Sequence, residues 1–330
     1  MCYPPPRMGA PRVTVEVRAR EAEALEIMAR EVREGLTRIP KEIPSKHFYD
    51  ERGSHLFEEI TLLPEYYLTR AEQALLARKS AEIAAVARPE TQIELGPGSA
   101  RKTRMLLEAG MSVGTLHRYV PVEVAAVTAE RSARQLAEDY PWLAVHAIVG
   151  DFERHVEPLP AGGARLVAFL GSTIGNFVPE RAAGLLEGIA RMLDDRGWFL
   201  LGTDLVKDKE TLEAAYNDKR GVTAEFNRNI LKVVNRRFDG NFVPEEFEHV
   251  AFYDEKLERI EMHLEARHPQ HVRIGGIELE IDVEKGERIR TEVSCKYRRE
   301  TVEPLLGGAG LELSHWYEGG GFALSLSRRR

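Results

Sequence analysis

Ile93-Glu94-Leu95-Gly96-Pro97-Gly98-Ser99 joins the end of a short apolar run to the start of a helical pattern. A glycine-rich turn between a first strand and a first helix lets a ligand approach the backbone closely, and the helix N–H groups favour negatively charged groups. The turn lacks the third glycine of a dinucleotide fingerprint. Taken alone, it is equally compatible with a ligand loop and with an ordinary surface turn.

The same strand-to-helix rhythm continues on the C-terminal side of this turn. Short apolar runs alternate with amphipathic helical patterns, at residues 92–95, 119–122, 143–149, 166–170 and 198–201. Five such alternations are typical of a parallel, doubly wound sheet with right-handed crossovers. The predicted fold class is therefore α/β, with a Rossmann-like sheet.

The alternation of strand and helix patterns ends after residue 205. A helix face carrying Phe226, Ile230, Val234 and Phe238 follows, and then strand-like runs separated by glycine-containing turns, which predict an antiparallel inserted α+β unit. The runs 311–316 and 322–326 resemble a closing hairpin.

We therefore expect a core of 71–205 with 297–330, a second unit of 19–70 with 206–296, and a largely disordered tail over 1–18. At the junction of the ranges 19–70 and 71–205, Thr69 and Glu72 have the spacing of a capping box, which predicts a helix starting at Thr69.

Acidic residues stand at the ends of the next two predicted strands. Glu123 ends the second strand, where a carboxylate can accept both hydroxyls of a ribose. Asp151 ends the third, where it can accept from an adenine amino group, and Phe152 can pack on the ring. Each acid has an alternative as a helix N-cap or a solvated loop residue. Their shared position at carboxyl strand ends favours an adenosine-containing cofactor.

Composition limits the classes of partner. The 330 residues include 46 Lys and Arg against 53 Asp and Glu, a net charge of −7, so the chain has no general field for attracting nucleic acid. No apolar run of about 18 residues predicts a membrane span. Two cysteines make no disulfide framework, and ten histidines form no H-E-x-x-H, so we expect no metal. The predicted protein is a cytoplasmic monomer.

Glu-x-Gly-x-Gly, an acidic second strand end and Gly-Asp-Phe at the third resemble S-adenosylmethionine (SAM)-dependent methyltransferases. Beyond that core, several motifs resemble the histidine-specific Nα-methyltransferases of ergothioneine biosynthesis, in that family's order and over nearly the whole chain. They are Phe48-Tyr49-Asp50-x-x-Gly53-Ser54-x-Leu56-Phe57, Leu63-Pro64-Glu65-Tyr66-Tyr67-x-Thr69-Arg70, Glu94 to Ser99, Leu170-Gly171-Ser172-Thr173-Ile174-Gly175-Asn176-Phe177 and Thr291-Glu292-Val293-Ser294.

The resemblance implies trimethylation of the α-amino group of L-histidine to hercynine, with SAM as methyl donor, and a role for each matched residue. Tyr49 is implied at the amine and is our candidate for assisting proton loss. The implied cofactor residues are Gly96, Lys102, Glu123 and Asp151, to which the position of Phe152 after the third strand adds a candidate for packing on the adenine. The implied substrate residues are Phe57, Tyr66, Gly171, Asn176, Tyr216, Met262, Glu292 and Ser294. Glu123 departs from the family, which usually has Asp at the ribose position.

Several alternatives remain open from the residues themselves. Glu292 and Ser294 share one strand face, but Arg290 and Lys296 have the same periodicity and favour a solvated face. Asn176 can instead cap the helix that starts near Pro179. At the level of function, the alternatives are the same reaction on another amino acid such as tryptophan, a non-catalytic sensor of SAM or its product, and a nicotinamide dehydrogenase.

Overall fold

The computed structural model describes residues 12–19, 21–98, 102–154 and 163–330. Its α-helices are α1 (Glu21–Leu36), α2 (Glu51–Thr61), α3 (Leu68–Ala87), α4 (Thr103–Val113), α5 (Ala126–Asp139), α6 (Pro179–Met192), α7 (Lys209–Ala214), α8 (Val222–Phe238) and α9 (Arg299–Gly308). Its strands are β1 (Val13–Val17), β2 (Lys41–Glu42), β3 (Thr91–Leu95), β4 (Arg118–Glu123), β5 (Ala144–Val149), β6 (Arg165–Phe169), β7 (Trp198–Asp204), β8 (Phe247–Asp254), β9 (Arg259–Ala266), β10 (Gln270–Ile274), β11 (Leu279–Val283), β12 (Arg288–Cys295), β13 (Leu311–Gly319) and β14 (Phe322–Arg329).

The larger sheet has the strand order β1-β5-β4-β3-β6-β7-β14-β13. Its strands from β1 to β7 pair in parallel, and β14 pairs antiparallel with both β7 and β13. All five residues of β3 are buried, as expected for a central parallel strand covered on both faces. The predicted Rossmann-like fold with a closing hairpin is confirmed. The strand order reverses at β3, so ligands are expected beside its carboxyl end.

A second sheet, β2-β12-β9-β8, contains the antiparallel strands of the insertion, and β10 pairs with β11. The prediction of antiparallel pairing after residue 205 is confirmed. The predicted helix face of α8 packs into one apolar core with strand residues such as Ile260 and Leu264. That core also holds Phe48, which anchors the segment before α2 against α8.

The chain leaves the larger sheet and returns to it at adjacent points. Leu205 and Tyr297 form a parallel bridge, and the Tyr297 N–H donates to the Asp204 carbonyl over 2.9 Å. Apart from β1, the strands of the larger sheet come from the ranges 71–205 and 297–330. The strands of the second sheet come from the ranges 19–70 and 206–296. The division into domains itself remains a prediction.

Two local predictions are wrong. The expected tail includes β1, which pairs in register with β5 and extends the larger sheet, because its alternating valines suit a sheet edge. Residues 1–11 of that tail lie outside the described part of the chain. The predicted capping box is also absent, since α3 begins at Leu68 without a side-chain cap and Glu72 is buried. In the residues described, no helix is both long and apolar enough to cross a bilayer.

Candidate active site

One continuous cleft runs from the carboxyl ends of the central strands to β12 of the second sheet. Every predicted site residue except one lies on its wall. These residues are Tyr49, Phe57, Tyr66, Gly96, Lys102, Glu123, Asp151, Phe152, Gly171, Asn176, Tyr216, Glu292 and Ser294. The exception is Met262, which lies opposite Glu292 on β9 but is only 1% exposed and does not line the cleft. Met262 therefore packs beneath the wall instead of forming its surface.

The glycine turn begins where β3 ends. Gly96 and Gly98 have φ values of +65° and +56°, a left-handed conformation that side chains disfavour. The Gly96 N–H donates to the Val122 carbonyl of β4 over 2.9 Å, which holds the turn against the sheet. A Cβ on Gly96 would lie 3.8 Å from the Phe152 ring. The turn and Phe152 thus face the same space. Ser99 lies outside the described residues.

Glu94, two residues before the turn, serves the sheet instead of the cleft. Its buried carboxylate accepts from the hydroxyls of Thr103 (2.7 Å) and Tyr119 (3.0 Å), and so connects β3 with α4 and β4. Burial raises the pKa of Glu94 above its usual value. The carboxylate fixes the start of α4 relative to the glycine turn.

Glu123 and Asp151 line the cleft at the carboxyl ends of β4 and β5 and accept hydrogen bonds from the backbone that follows. Oε1 of Glu123 accepts from the backbone N–H groups of Val124 (2.9 Å) and Ala125 (3.2 Å) ahead of α5. The carboxylate therefore does some of the N-terminal capping that the alternative interpretation expected. Oδ1 of Asp151 accepts from the Glu153 N–H over 2.9 Å, and Oδ2 lies 3.4 Å from Lys46 Nζ. Burial raises the pKa of Glu123.

Lys102 forms an ion pair with Glu72, whose side chain is 1% exposed. The other oxygen of Glu72 accepts from the Gly171 N–H over 2.7 Å. One buried carboxylate on α3 therefore holds a predicted cofactor residue and a predicted substrate residue together. Sequence reasoning missed this role because the T-x-x-E spacing suggested a capping box. The two polar partners of Glu72 explain why it faces inward.

The loop after β6 carries Asn176 to the cleft. Gly171 and Ser172 both have positive φ, and a 3₁₀ helix, Thr173–Asn176, follows them. The residue that caps α6 is Val178, so the alternative of Asn176 as that cap is wrong. A Cβ on Gly175 would lie 2.7 Å from the Cys295 carbonyl. The missing side chain allows this loop to lie directly on β12.

Four aromatic side chains, Tyr49, Phe57, Tyr66 and Tyr216, line part of the cleft. Ring centroids are 5.6 Å apart for Tyr49 and Phe57, 6.2 Å for Phe57 and Tyr66, and 6.4 Å for Tyr66 and Tyr216, all edge to face. Tyr49 is 36% exposed, and Tyr66 is 8% exposed. Desolvation, reinforced by nearby acidic groups such as Glu292, raises the pKa of both tyrosines. Their hydroxyls are therefore protonated and neutral at neutral pH.

A β-bulge turns Glu292 into the cleft. In the pairing with β9, Arg290 lies opposite His263 and Glu292 lies opposite Met262, so Thr291 is an extra residue. The Thr291 hydroxyl donates to Asn227 Oδ1 of α8 over 2.6 Å. The bulge breaks the alternation that the sequence implied.

The charged residues before and after the bulge have different environments. Arg290 forms an ion pair with Glu42, whereas Lys296 is buried. The alternative of one solvated face carrying Arg290, Glu292 and Lys296 is therefore wrong. Burial raises the pKa of Glu292 to about 7, and the nearby Lys296 charge opposes this shift in part.

Two further residues of the site were missed by sequence reasoning. Asp204 and Lys296 form an ion pair of 3.0 Å with both side chains fully buried. Asp204 also accepts from the Tyr67 hydroxyl (2.7 Å) and from Lys207 Nζ (2.5 Å). Asp204 ends β7, so its position at a carboxyl strand end was the available signal. Nothing in the sequence pairs it with Lys296. Among the described residues, no group of three or more His, Cys, Asp or Glu side chains is arranged to hold a metal ion.

Comparisons with known proteins agree with this arrangement. A family profile described as "Histidine-specific methyltransferase, SAM-dependent" matches residues 28–329. Histidine N-alpha-methyltransferase of Mycolicibacterium smegmatis is 48% identical over 93% of this chain and 96% of that protein. The Mycobacterium tuberculosis protein of the same name is 46% identical over 92% of this chain and 95% of that protein. Ergothioneine biosynthesis protein 1 of Neurospora crassa is 32% identical over 87% of this chain, which corresponds to 33% of the fungal protein.

The sheet, the glycine turn and these matches define a SAM-dependent N-methyltransferase. More particularly, the chain belongs to the family of histidine-specific, SAM-dependent methyltransferases. This membership speaks against the alternatives of a nicotinamide dehydrogenase and a non-catalytic sensor.

Proposed function

We propose that this enzyme transfers three methyl groups in succession to the α-amino nitrogen of L-histidine, giving hercynine for ergothioneine biosynthesis. The observation that carries the proposal is the pair Glu292 and Ser294, which the bulge turns into a cleft shared with the glycine turn. The names of the relatives with 46–48% identity support the same substrate.

The residues at the strand ends suit S-adenosylmethionine. The turn at Gly96 and Gly98 has no Cβ to obstruct a ligand, and the Glu123 carboxylate on the cleft wall would accept from ribose hydroxyls. Asp151 would accept from the adenine amino group beside Phe152. When bound, the cofactor supplies an electrophilic methyl group. Lys102 remains a predicted cofactor residue, with Glu72 fixing its position.

The opposite side of the cleft suits an α-amino acid with an imidazole ring. Asn176 and Tyr216 would face the substrate carboxylate, while Glu292 and Ser294 would bind the two ring nitrogens. Gly171 and Phe57 would shape the space between them. A methylated ammonium carries a fixed positive charge, so the aromatic faces of the cleft, including Tyr66, would attract it.

Positioning is the main task that remains for the protein. Holding an amine at the right distance and angle from a reactive carbon supplies much of the rate enhancement of a displacement reaction. The amine must also lose a proton before each transfer. The raised pKa of Tyr49 keeps its hydroxyl protonated, so we infer that its oxygen accepts the proton of the amine while the hydroxyl gives its own proton to a water molecule, which carries it to solvent.

Mass spectrometry of the purified enzyme with S-adenosylmethionine and each amino acid in turn tests the proposal. We expect gains of one, two and three methyl groups on histidine alone. Methylation of tryptophan in preference to histidine would support the alternative substrate, and an absence of methylated histidine would overturn the proposal.

A Glu292→Leu variant separates the two substrates further. An indole has one donor and would leave the buried carboxylate poorly satisfied, whereas an imidazole uses it. We therefore expect this variant to lose histidine affinity by about 100-fold while its affinity for S-adenosylhomocysteine stays close to wild type. Calorimetry measures both. An equal loss of both affinities would indicate a general structural defect.

We also propose a monomeric enzyme in the cytoplasm that works on two small molecules without nucleic-acid or membrane partners. The net charge of −7 and the presence of only two cysteines support this setting. Light scattering coupled to gel filtration would test the monomer, and a dimer mass would overturn it.

A further inference from the structure

The buried ammonium of Lys296 has three hydrogen-bond partners. Its Nζ lies 3.0 Å from Asp204 Oδ2, 2.8 Å from Ser294 Oγ and 3.2 Å from the Tyr216 hydroxyl. An ammonium has three N–H donors and no acceptor, so these contacts use all of its capacity. At Ser294 and Tyr216 the hydroxyl oxygen must therefore be the acceptor.

The two hydroxyls also contact each other. Ser294 Oγ and the Tyr216 hydroxyl are 2.8 Å apart. Only one proton can lie between two hydroxyl oxygens, so the other hydroxyl proton must point elsewhere. Both side chains line the cleft, which is the open direction for that proton. The ammonium behind the pair thus makes the pair a donor toward the cleft.

We propose that Lys296 is a positioning residue for substrate recognition, because its donation to both hydroxyl oxygens leaves the Ser294–Tyr216 pair with one proton that is directed toward the substrate. The Tyr216 hydroxyl donates to Ser294 Oγ, and Ser294 then donates its own proton to a ring nitrogen. The ionised carboxylate of Glu292 is acceptor-only. A donor beside an acceptor matches the bare nitrogen and the N–H of a neutral imidazole. This inference rests on the proposed histidine substrate.

Asp204 makes this arrangement possible by balancing the buried charge. An unpaired ammonium in the interior is costly, whereas a paired one can remain charged and keep all three donors. Lys207 provides a natural comparison, because it contacts the other oxygen of Asp204, the Tyr67 hydroxyl and the Leu205 carbonyl. Unlike Lys296, Lys207 has no hydrogen bond to Ser294 or Tyr216 among its contacts.

Calorimetry on Lys296→Met tests the proposal, with Lys207→Met as the matched control. We expect the Kd of L-histidine, measured with S-adenosylhomocysteine present, to rise about 10- to 100-fold in Lys296→Met. The Kd of S-adenosylhomocysteine should stay within about twofold of wild type, and Lys207→Met should bind histidine nearly as wild type does. A histidine Kd within twofold of wild type in Lys296→Met would overturn the inference.

A double-mutant cycle distinguishes positioning from simple charge balance. If Lys296 acts through the two hydroxyls, its replacement adds little further loss in a Tyr216→Phe, Ser294→Ala background. A role limited to balancing Asp204 predicts that the loss is fully additive, which would overturn the inference. If wild-type enzyme fails to bind histidine at all, the proposed function fails, and this inference fails with it.

Folding of the variants is controlled within the same series. Lys296→Met leaves Asp204 with one cationic partner and can lower the melting temperature. If it does not fold, the Asp204→Asn, Lys296→Met protein is compared with Asp204→Asn alone. The loss of histidine affinity should then appear in the double variant only, and equal affinities in the two proteins would overturn the inference.

Discussion

Glu292 illustrates how burial prepares a side chain for a ligand. Its carboxyl group sits on the cleft wall with a pKa of about 7, because desolvation disfavours the charged form more than the Lys296 charge stabilises it. A partly desolvated carboxylate of this kind lowers the free energy of unfolding of the ligand-free protein. A ligand that donates a hydrogen bond to it offsets that cost. The desolvation cost in the ligand-free protein and part of the affinity for the ligand therefore have the same origin.

This pKa has a consequence for stability. Because the pKa is higher in the folded than in the unfolded chain, the folded chain keeps its proton while the unfolded chain loses it as the pH rises from about 4.5 to 7. The stability of the ligand-free protein falls across that window, and the penalty is fully present above it. Its upper bound is about 3 kcal/mol.

Replacing the carboxyl with an amide removes the penalty. We expect Glu292→Gln to stabilise the ligand-free enzyme, by about 2 kcal/mol more at pH 8 than at pH 5. Urea unfolding at the two pH values measures the difference. The exposed Glu303→Gln serves as the control, and the same pH dependence in both variants would contradict the prediction.

Tyr49 allows a separate test of proton transfer. Its raised pKa keeps the phenol protonated at neutral pH, so a role for its hydroxyl must come through hydrogen bonding. We expect Tyr49→Phe to lower the rates of the three methylations by about tenfold or more, with S-adenosylhomocysteine affinity unchanged. Tyr253→Phe, away from the cleft, is the control. Unchanged rates for all three methylations would rule out a proton role.

At the level of elements, two irregularities build the substrate side of the cleft. The bulge in β12 brings Glu292 and Ser294 to the same side as Tyr216. The loop between β6 and α6 brings Asn176 against β12, with Gly175 at the point of contact. Both irregularities bend a backbone toward the cleft, and each depends on a close contact with another element.

Gly175→Ala tests the contact between the β6–α6 loop and β12. The added Cβ would meet the Cys295 carbonyl at 2.7 Å, so the loop must shift and displace Asn176. We expect KM for histidine to rise about tenfold with little change in S-adenosylhomocysteine affinity. Gly184→Ala in α6 has open space around its Cβ and should leave KM unchanged. Equal KM values for the two variants would show that the contact is tolerated.

At the scale of the whole molecule, the cleft belongs to both sheets because the chain crosses between them twice at one place. Asp204 precedes the exit at Leu205, and Lys296 precedes the return at Tyr297. Their buried ion pair joins the two crossing points behind the substrate side of the cleft. The same pair therefore links the assembly of the fold with the assembly of the site.

The edge strand β1 should contribute to this assembly. It covers β5, and Arg12 donates to the carbonyls of Pro141 (2.9 Å) and Ala137 (3.2 Å). A chain beginning at residue 19 should melt about 5 °C lower than one beginning at residue 12, and should aggregate more readily because β5 becomes an unprotected edge. Scanning calorimetry and light scattering measure both. Equal melting temperatures would show that β1 is dispensable.

Much of the architecture was predictable because it follows from local patterns. The apolar runs after Ile93, the helix face of α8 and the positions of Glu123 and Asp151 each reflect a periodicity or a strand end that neighbouring residues reveal. The family resemblance then assigned roles to residues far apart in the chain. Those roles remain predictions, although all of the residues except Met262 line one cleft.

The sequence by itself determined the class of sheet, the glycine turn, the inserted antiparallel unit and the family. It could not determine which way Glu292, Lys296 and Glu72 face, because their burial depends on partners distant in the chain. A single extra residue, Thr291, reverses the alternation of β12, and its partner Asn227 lies on another element. Only tertiary structure decides such pairings, since the cost of burying a charge is offset by whichever groups the fold brings beside it.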